Sequence, residues 1–449
     1  MGETKPFQIV FVSVCVVLLI VGVLIFSFAG VKPNDAVNYG PIVTIWGTEN
    51  EGLINDIIDK TNKSGEAVIN AKYVQKQEAS FNQDLLEALA TRKGPDVILA
   101  SAEDILTYQD KLAIIPFDTL SQRTFKDSFI EEGELFTTAK GYSAVPFSVD
   151  PLVLYWNRDL FTIHDKKSPP SKWGQVVSLV PEMRDISEDL TVFGAVVSLG
   201  DYRNITNAKA ILAVLMLQSG TPITSLGYQE NEDALLLSTQ LGASVKNSAI
   251  IPAVAAVNFY TQFADPLSKQ YTWNRALPDS LNMFTSDDLA MYIGFGSESS
   301  LIRSKNPNLN FDMALLPQSD ASAVPVTYGK MKGLAVLAST VNPSGSFLAI
   351  QGLTSAAFLK AYAEASGLPP VRRDLLETPK SDAFGAVLYK SALYARGFLD
   401  PNPVKTNVIF QTLIESVLSG RSTAGQSVQT ADNQFRLLVD EFNRKQVKE

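Results

Sequence analysis

Ten residues of this chain have the side-chain types that a binding site for a polar solute needs. Aromatic rings offer flat apolar faces to the C–H surface of a sugar, and planar polar groups bind its hydroxyls. Binding pockets usually combine such an apolar lining with a few fixed polar groups. The candidates stand at predicted strand ends or crossings, and they are Trp46, Phe147, Trp273, Phe295 and Tyr328 among the aromatic residues and Glu49, Asp150, Asn274, Ser297 and Arg372 among the polar ones.

Each candidate also has a purely structural interpretation. Trp46 ends an apolar strand and could belong to a core, Phe147 could pack under a hinge, and Asp150 could cap a turn before Pro151. Glu49 and Arg372 could pair on the surface. The polar neighbours of Trp273 favour contact with a solute, and the glycines around Phe295 allow a ligand to approach the backbone closely.

The residues required for other chemistries are absent from the sequence. It has no Gly-x-Ser-x-Gly elbow, phosphate loop or His-Glu-x-x-His motif, so we expect no enzyme. One histidine, His164, and one cysteine, Cys15, exclude a multi-histidine or thiolate metal site, and no cofactor is expected. A net charge of −9 without a basic stripe argues against a nucleic-acid partner. The adjacent acids Asp287 and Asp288 are expected to begin a helix, where acids favour the dipole.

Strands and helices alternate at the start of the soluble part. Strands are predicted over 42–46, 68–74 and 96–100, with helices over 52–63 and from residue 80 between them. This order predicts an open parallel α/β sheet, whose ligands bind beyond the carboxyl ends of the strands. The rule points to residues 46–49 and 100–102. Two longer helices are predicted further on, over 207–220 and 232–246.

The segment from Gly141 to Phe161 predicts a crossing between two bodies. Pro146 and Pro151 fix φ and remove backbone donors, which excludes a continuous central strand. At 449 residues the chain is also long enough to form two lobes.

This segment resembles the first interlobe crossover of extracellular solute-binding proteins of ABC importers, the maltose-binding-like group. That family has a pattern Gly-(Ile/Val)-Pro-x-x-x-Asp-x-x-(Leu/Val)-x-Tyr-(Tyr/Trp)-Asn-(Lys/Arg)-Asp-Leu-Phe here, and the match is nearly complete. Four further segments resemble the family in the correct order, so that the resemblance covers residues 42 to 445: residues 169–173, 286–297, 306–318 and 367–373.

The resemblance implies a two-lobed α/β fold of the periplasmic-binding-protein type (type II), with a ligand cleft between the lobes and one N-terminal transmembrane helix before them. Crossings are expected near 146–151, 293–297 and 328–333. The implied division is an anchor over 1–30, a linker over 31–41, lobe 1 over 42–148 and 291–330, and lobe 2 over 149–290 and 331–449.

The N-terminal segment is expected to anchor the chain in a membrane. Phe7 to Ala29 is an apolar run of about 23 residues, which as a helix would span roughly 34 Å. A secretory signal has a shorter apolar region, although Ser27 to Ala29 keeps cleavage open as an alternative. Lipidation of Cys15 is disfavoured, because a long apolar run follows it.

The resemblance therefore implies a monomeric receptor tethered on the extracytoplasmic side, which delivers a small solute, a carbohydrate first of all, to the permease of an ABC importer. One departure weakens the case for a long sugar: no aromatic residue follows Phe295 in the segment Gly296 to Ser300. The alternatives are a tethered sensor or adhesion body, a receptor for a non-sugar solute, and a glycan hydrolase.

Overall fold

The computed structural model describes residues 41–229, 232–244, 251–320, 324–378 and 380–447. The anchor expected over 1–30 and nearly all of the linker expected over 31–41 lie outside this range. Residues Ile42–Glu449 form one compact unit. Within the described part of the chain, no helix combines the length and the apolar character needed to cross a membrane.

The described residues contain sixteen α-helices and two 3₁₀ helices. The 3₁₀ helices are Gln109–Lys111 and Glu131–Phe136. The α-helices are α1 Glu51–Ser64, α2 Phe81–Ala90, α3 Ala102–Thr107, α4 Gln122–Ser128, α5 Arg158–Ile163, α6 Trp173–Met183, α7 Ala208–Gln218, α8 Pro252–Thr261, α9 Ser280–Thr285, α10 Glu298–Lys305, α11 Pro343–Leu353, α12 Ala356–Ser366, α13 Arg373–Leu376, α14 Ala383–Tyr394, α15 Pro403–Leu418 and α16 Ala424–Val447.

The strands are β1 Val43–Gly47, β2 Ala71–Gln75, β3 Val97–Ser101, β4 Leu112–Ala113, β5 Ile115–Pro116, β6 Gly141–Tyr142, β7 Val145–Asn157, β8 Asp185–Ile186, β9 Val192–Val197, β10 Thr224–Gln229, β11 Glu232–Thr239, β12 Leu289–Phe295, β13 Phe311–Ala314, β14 Thr327–Leu337 and β15 Ala395–Arg396. The main sheet has the order β2-β1-β3-β14-β7-β12-β9-β8. Its parallel pairs are β1 with β2 and β3 in one half, and β9 with β12 in the other.

Helix α1 illustrates how local sequence sets these elements. The Asn50 side chain accepts a hydrogen bond from the Leu53 amide (2.8 Å) and caps the first turn. Gly65, with φ of 73°, ends the helix in the left-handed conformation that glycine adopts without a Cβ clash. The apolar stripe between these caps faces the sheet through Ile54, Ile57 and Ile58.

Two separate hydrophobic cores divide the chain into two lobes. Lobe 1 has its core around β1, β3, the start of β7 and the end of β14. Lobe 2 has its core around the end of β7, β9, β12 and the C-terminal helices α15 and α16. The chain passes from one core to the other three times, over residues 149–152, 328–331 and 395–398.

These crossings correct part of the expected division. Strand β12, expected to lead back to lobe 1, lies inside lobe 2, because it pairs with β7 on one side and β9 on the other. Residues 291–316 therefore pack in lobe 2, where lobe 1 was expected. Residues 331–376 pack in lobe 1, where lobe 2 was expected, and helix α14 contacts both cores, with Leu388 in that of lobe 2 and Ala392 in that of lobe 1. The crossing at 395–398 was not predicted.

Three local expectations were also wrong. The prolines at 146 and 151 were expected to exclude a continuous central strand, yet β7 runs unbroken over Val145–Asn157 in the middle of the sheet. Both prolines lie opposite glycines of β14, and the register with β14 shifts beside Pro146. Residues 232–239 form strand β11, which pairs with β10 as an antiparallel hairpin, where a helix over 232–246 was predicted; residues 245–246 lie outside the described residues. Asp287 and Asp288 precede strand β12 and begin no helix. Asp287 has a φ of 70° and its carboxylate accepts a hydrogen bond from the Asn157 side chain, so it forms a turn.

Candidate binding cleft

A cleft of about 610 Å³ lies where the carboxyl ends of β9 and β12 meet the carboxyl end of β3. Lobe 2 supplies most of its wall, lobe 1 supplies Glu103, and the crossing over 328–331 supplies Tyr328 and Lys330. The lining is predominantly polar and consists of Glu103, Tyr202, Arg203, Ile205, Thr206, Asn207, Ala208, Lys209, Ala210, Asp279, Phe295, Tyr328, Lys330, Asn407 and Gln411.

Carboxylates hold two of the cationic side chains in this wall. The Lys209 ammonium lies 2.6 Å from Asp400, whose side chain is almost fully buried. The Arg203 guanidinium lies 2.5 Å from Glu415, which is partly exposed. The buried Asp400 carboxylate limits the motion of the Lys209 ammonium, so this group presents a defined donor position to a solute.

Lys330 is held differently. Its ammonium lies 3.7 Å from the centroid of the Phe295 ring, within the range of a cation–π interaction. Among the described residues, no carboxylate lies within the 4.0 Å of an ion pair with it. The Phe295 ring also contacts the Tyr328 ring at a centroid separation of 6.4 Å.

Asp150 stands on the first crossing, beside the cleft. Its carboxylate accepts a hydrogen bond from the Ser297 amide (3.1 Å). Burial raises the pKa of Asp150 to about 6, while the bonds from Ser297 and the charge of Lys330 act in the opposite direction. On the lobe 1 side, burial also raises the pKa of Glu103, and Lys209 across the cleft opposes this shift.

The structure brings four of the ten sequence candidates together. Phe295 and Tyr328 line the cleft, and Asp150 and Ser297 bond to each other directly behind it. Glu49 lies at the carboxyl end of β1 and forms an ion pair with Lys332 (2.6 Å), outside the lining residues.

The other five candidates lie elsewhere. Trp46 packs against the lobe 1 core with the Lys76 ammonium 3.7 Å from its ring centroid. Phe147 is buried in the same core, 4.7 Å from Tyr362.

Trp273 is fully buried in lobe 2, and its ring N–H donates to Asn204 (3.0 Å). The Asn274 side chain bonds within its own loop, to Tyr271 (3.0 Å) and Ala276 (2.9 Å). Arg372 binds Asp374 (2.7 Å) and lines a separate apolar groove of lobe 1 of about 750 Å³.

Sequence reasoning missed most of the lobe 2 wall. The strand-end rule pointed to residues 100–102, directly before Glu103, and it would have found Tyr202 and Arg203 had it been applied to β9. Asn407 and Gln411 come from helix α15, and no local sequence signal marks them as part of the cleft.

Comparisons with known proteins agree with this architecture. The profile of a family described as bacterial extracellular solute-binding protein matches residues 56–386. No curated protein matches the chain.

Among solved structures, the fold is similar to that of the cyclic α-maltosyl-1,6-maltose binding protein from Arthrobacter globiformis. The TM-score is 0.69 at 15% identity, over 90% of this chain and 100% of that one. The GacH receptor of Streptomyces glaucescens, solved unliganded and with acarbose, gives 0.64 at 17%, over 89% and 98%. UgpB from Mycobacterium tuberculosis, in complex with glycerophosphocholine, gives 0.65 at 16%, over 90% and 99%.

Proposed function

The chain belongs to the bacterial extracellular solute-binding protein family, and on that premise we propose that it is a membrane-tethered receptor that binds a small carbohydrate and delivers it to an ABC importer. The observation that carries this proposal is the polar cleft of about 610 Å³ with walls from both lobes. A solute that contacts both walls binds the closed arrangement more tightly than the open one, and this difference in affinity drives closure.

The lining favours a solute with many hydroxyl groups. Amide side chains of Asn207, Asn407 and Gln411 provide both donors and acceptors, and Phe295 and Tyr328 provide apolar surface. The cleft volume suits a solute of one to a few sugar rings. Among the structurally similar proteins, the GacH receptor was solved with acarbose, and the Arthrobacter protein is named for cyclic α-maltosyl-1,6-maltose. UgpB was solved with glycerophosphocholine. The test therefore includes both sugars and glycerophosphocholine.

Thermal unfolding of the full-length chain in mild detergent tests the proposal. The panel contains mono- and oligosaccharides, polyols, glycerophosphocholine, amino acids and peptides. A compound present at 100 times its Kd stabilises the folded chain by about 2.7 kcal/mol, which raises Tm measurably. We expect at least one sugar to do so, and a panel in which no sugar raises Tm would contradict the carbohydrate assignment.

A pair of matched variants places the binding in the cleft. Glu103→Gln replaces the carboxyl group of the lobe 1 wall by an amide, and we expect it to weaken binding of the sugar at least tenfold by calorimetric titration, because a hydrogen bond to the carboxyl group is lost. Glu87→Gln makes the same change on the exposed face of α2 and should leave the affinity unchanged. Equal affinities of both variants for the sugar would show that Glu103 is not part of the binding site.

We propose that the apolar run from Phe7 to Ala29 anchors the chain in the membrane. We expect the full-length chain to stay in the membrane fraction after washing at high salt, because an apolar helix of this length partitions into the bilayer. A chain that begins at residue 36 should be released. Release of both chains would show that the N-terminal segment is cleaved or does not anchor.

A further inference from the structure

One carboxyl group of lobe 1 is buried without any hydrogen bond. Glu132 lies in the 3₁₀ helix Glu131–Phe136, and only 2% of its surface is exposed. Neither of its two carboxyl oxygens has a hydrogen-bond partner within the described residues. Buried polar groups without partners are rare in native structures, since each costs the free energy of its lost hydration.

The carboxyl group of Glu132 lies where the two lobes join. A Cβ atom built on Gly329 would lie 2.1 Å from Oε2 of Glu132, and one built on Gly397 would lie 3.1 Å from Oε1. Gly329 belongs to the crossing over 328–331 and Gly397 to the crossing over 395–398. The carboxyl group therefore fills the space that two glycines leave at two of the three interlobe crossings.

The surroundings favour the neutral form of this carboxyl. Burial raises the pKa of Glu132 to about 8; the charge of Arg396 on β15 lowers it and that of Glu103 on α3 raises it. Arg396 is held away by an ion pair with Glu131, the exposed neighbour of Glu132.

The other ionisable groups on the elements that contact the 3₁₀ helix do not offset this. Strand β14 contributes Tyr328, Lys330 and Lys332, and strand β7 contributes Asp150. Lys332 is paired with Glu49, and Lys330 lies over the ring of Phe295. On the 3₁₀ helix itself, Glu134 is paired with Lys126.

We propose that Glu132 is a positioning residue of the hinge: as a neutral carboxylic acid it holds two interlobe crossings against lobe 1, and its ionisation releases them and changes the arrangement of the lobes. Glu132 is not among the residues that line the cleft, so it acts on solute binding through the hinge.

The sign of the pH dependence follows from the raised pKa. The described arrangement binds the proton of Glu132 more tightly than an arrangement in which the carboxyl is hydrated, so it is favoured at low pH. Between the ordinary pKa of 4.5 and the raised pKa of about 8, each pH unit shifts the ratio of the two arrangements by up to tenfold. Above about pH 8 the shift is complete.

The test measures the distance between the lobes without any solute. In the full-length chain with Cys15→Ser, spin labels are placed on Lys63→Cys of lobe 1 and Ser304→Cys of lobe 2, which are both exposed. Pulsed electron resonance then gives the distance distribution from pH 5 to pH 9. With Glu132 present, we expect the distribution at pH 9 to differ from that at pH 5.

Three variants make the result specific to Glu132. Glu132→Gln keeps the shape and Glu132→Met keeps the approximate volume, and since neither oxygen has a partner, we expect both chains to fold and to keep the pH 5 distribution at pH 9. Glu134→Gln changes an exposed carboxylate of the same 3₁₀ helix, which is paired with Lys126, and should behave like the parent chain. Asp150, which titrates near pH 6, is present in all of them.

Two results would overturn the proposal. One is a parent chain whose distance distribution is the same at pH 5 and pH 9. The other is a Glu132→Gln or Glu132→Met chain whose distribution changes with pH as the parent's does. Neither result would bear on whether the cleft binds a sugar, since no solute is present in the experiment.

Discussion

At the scale of single residues, the Phe295 ring, which could stack on a solute, is already covered by the ammonium of Lys330. The Lys330 ammonium lies 3.7 Å from the Phe295 ring centroid, so a sugar that stacks on this ring must displace it. An exposed cation–π contact is worth about 0.5–1 kcal/mol. Lys330 therefore opposes neutral solutes by a small amount, whereas a solute with an acceptor or a negative charge could bind the ammonium in place.

Lys330→Met should uncover Phe295 while keeping a side chain of similar length. We expect the affinity for a neutral sugar found in the thermal screen to rise about two- to fivefold, which corresponds to the loss of the competing contact. Isothermal titration calorimetry measures this change directly.

Lys76→Met is the matched control, because Lys76 covers Trp46 at the same distance of 3.7 Å outside the lining of the cleft. Its affinity should equal that of the unchanged chain. Weaker binding by Lys330→Met would instead show that the ammonium binds the solute directly.

The residue types predicted from sequence were partly misleading for a physical reason. Trp273 stands among polar neighbours, yet it is fully buried, because Asn204 accepts from its ring N–H and the adjacent Thr272 accepts from the Val196 amide. Polar neighbours in the sequence indicate which groups need hydrogen-bond partners, but they do not indicate whether a side chain is exposed to solvent. Phe295 was predicted from its place at a strand end, and it lines the candidate cleft.

At the scale of elements, the capped amphipathic pattern of α1 predicted the right element, and the apolar run within 232–246 did not. Helix α1 has caps at both ends and an apolar stripe, and its predicted range of 52–63 agrees with Glu51–Ser64. The run Leu235 to Leu237 fits a helix and a strand equally well, since periodicity cannot separate them over so few residues. Its pairing with β10 decides the outcome, and pairing is invisible in a local pattern.

The same limit explains the misplaced return crossing. Strand β12 ends in Phe295 and Gly296 beside the first crossing, and Tyr155 of β7 donates a hydrogen bond to the Phe295 carbonyl (2.7 Å). In the sequence, a strand that ends at the hinge has the same pattern as a strand that crosses it. Only the sheet order, with β12 between β7 and β9, shows that this strand stays in lobe 2.

At the scale of the whole molecule, the two-lobed architecture was predictable from the length and from the family resemblance of the first crossing, although the prolines there do not interrupt β7. The assignment of the later segments to lobes was not, because each of two cores accepts apolar helices of the same kind. Residues 331–376 join lobe 1 through the pairing of β14 with β3, a contact between segments more than 200 residues apart. Three crossings join the lobes, and a rotation of one lobe against the other would take place at these crossings.

Closure about this hinge is the property that links the architecture to the proposed function. Labels on Lys63→Cys and Ser304→Cys, at constant pH, should show a shorter interlobe distance, by several ångströms, when a sugar that raises Tm is added at saturation. The reason is that Glu103 and the lobe 2 wall can contact one solute together only when the lobes approach each other. Labels on Lys63→Cys and Glu87→Cys, both in lobe 1, should keep their distance. A bound sugar that leaves the interlobe distance unchanged would show that this cleft binds its solute without closing, and the coupling of binding to delivery would then need another part of the molecule.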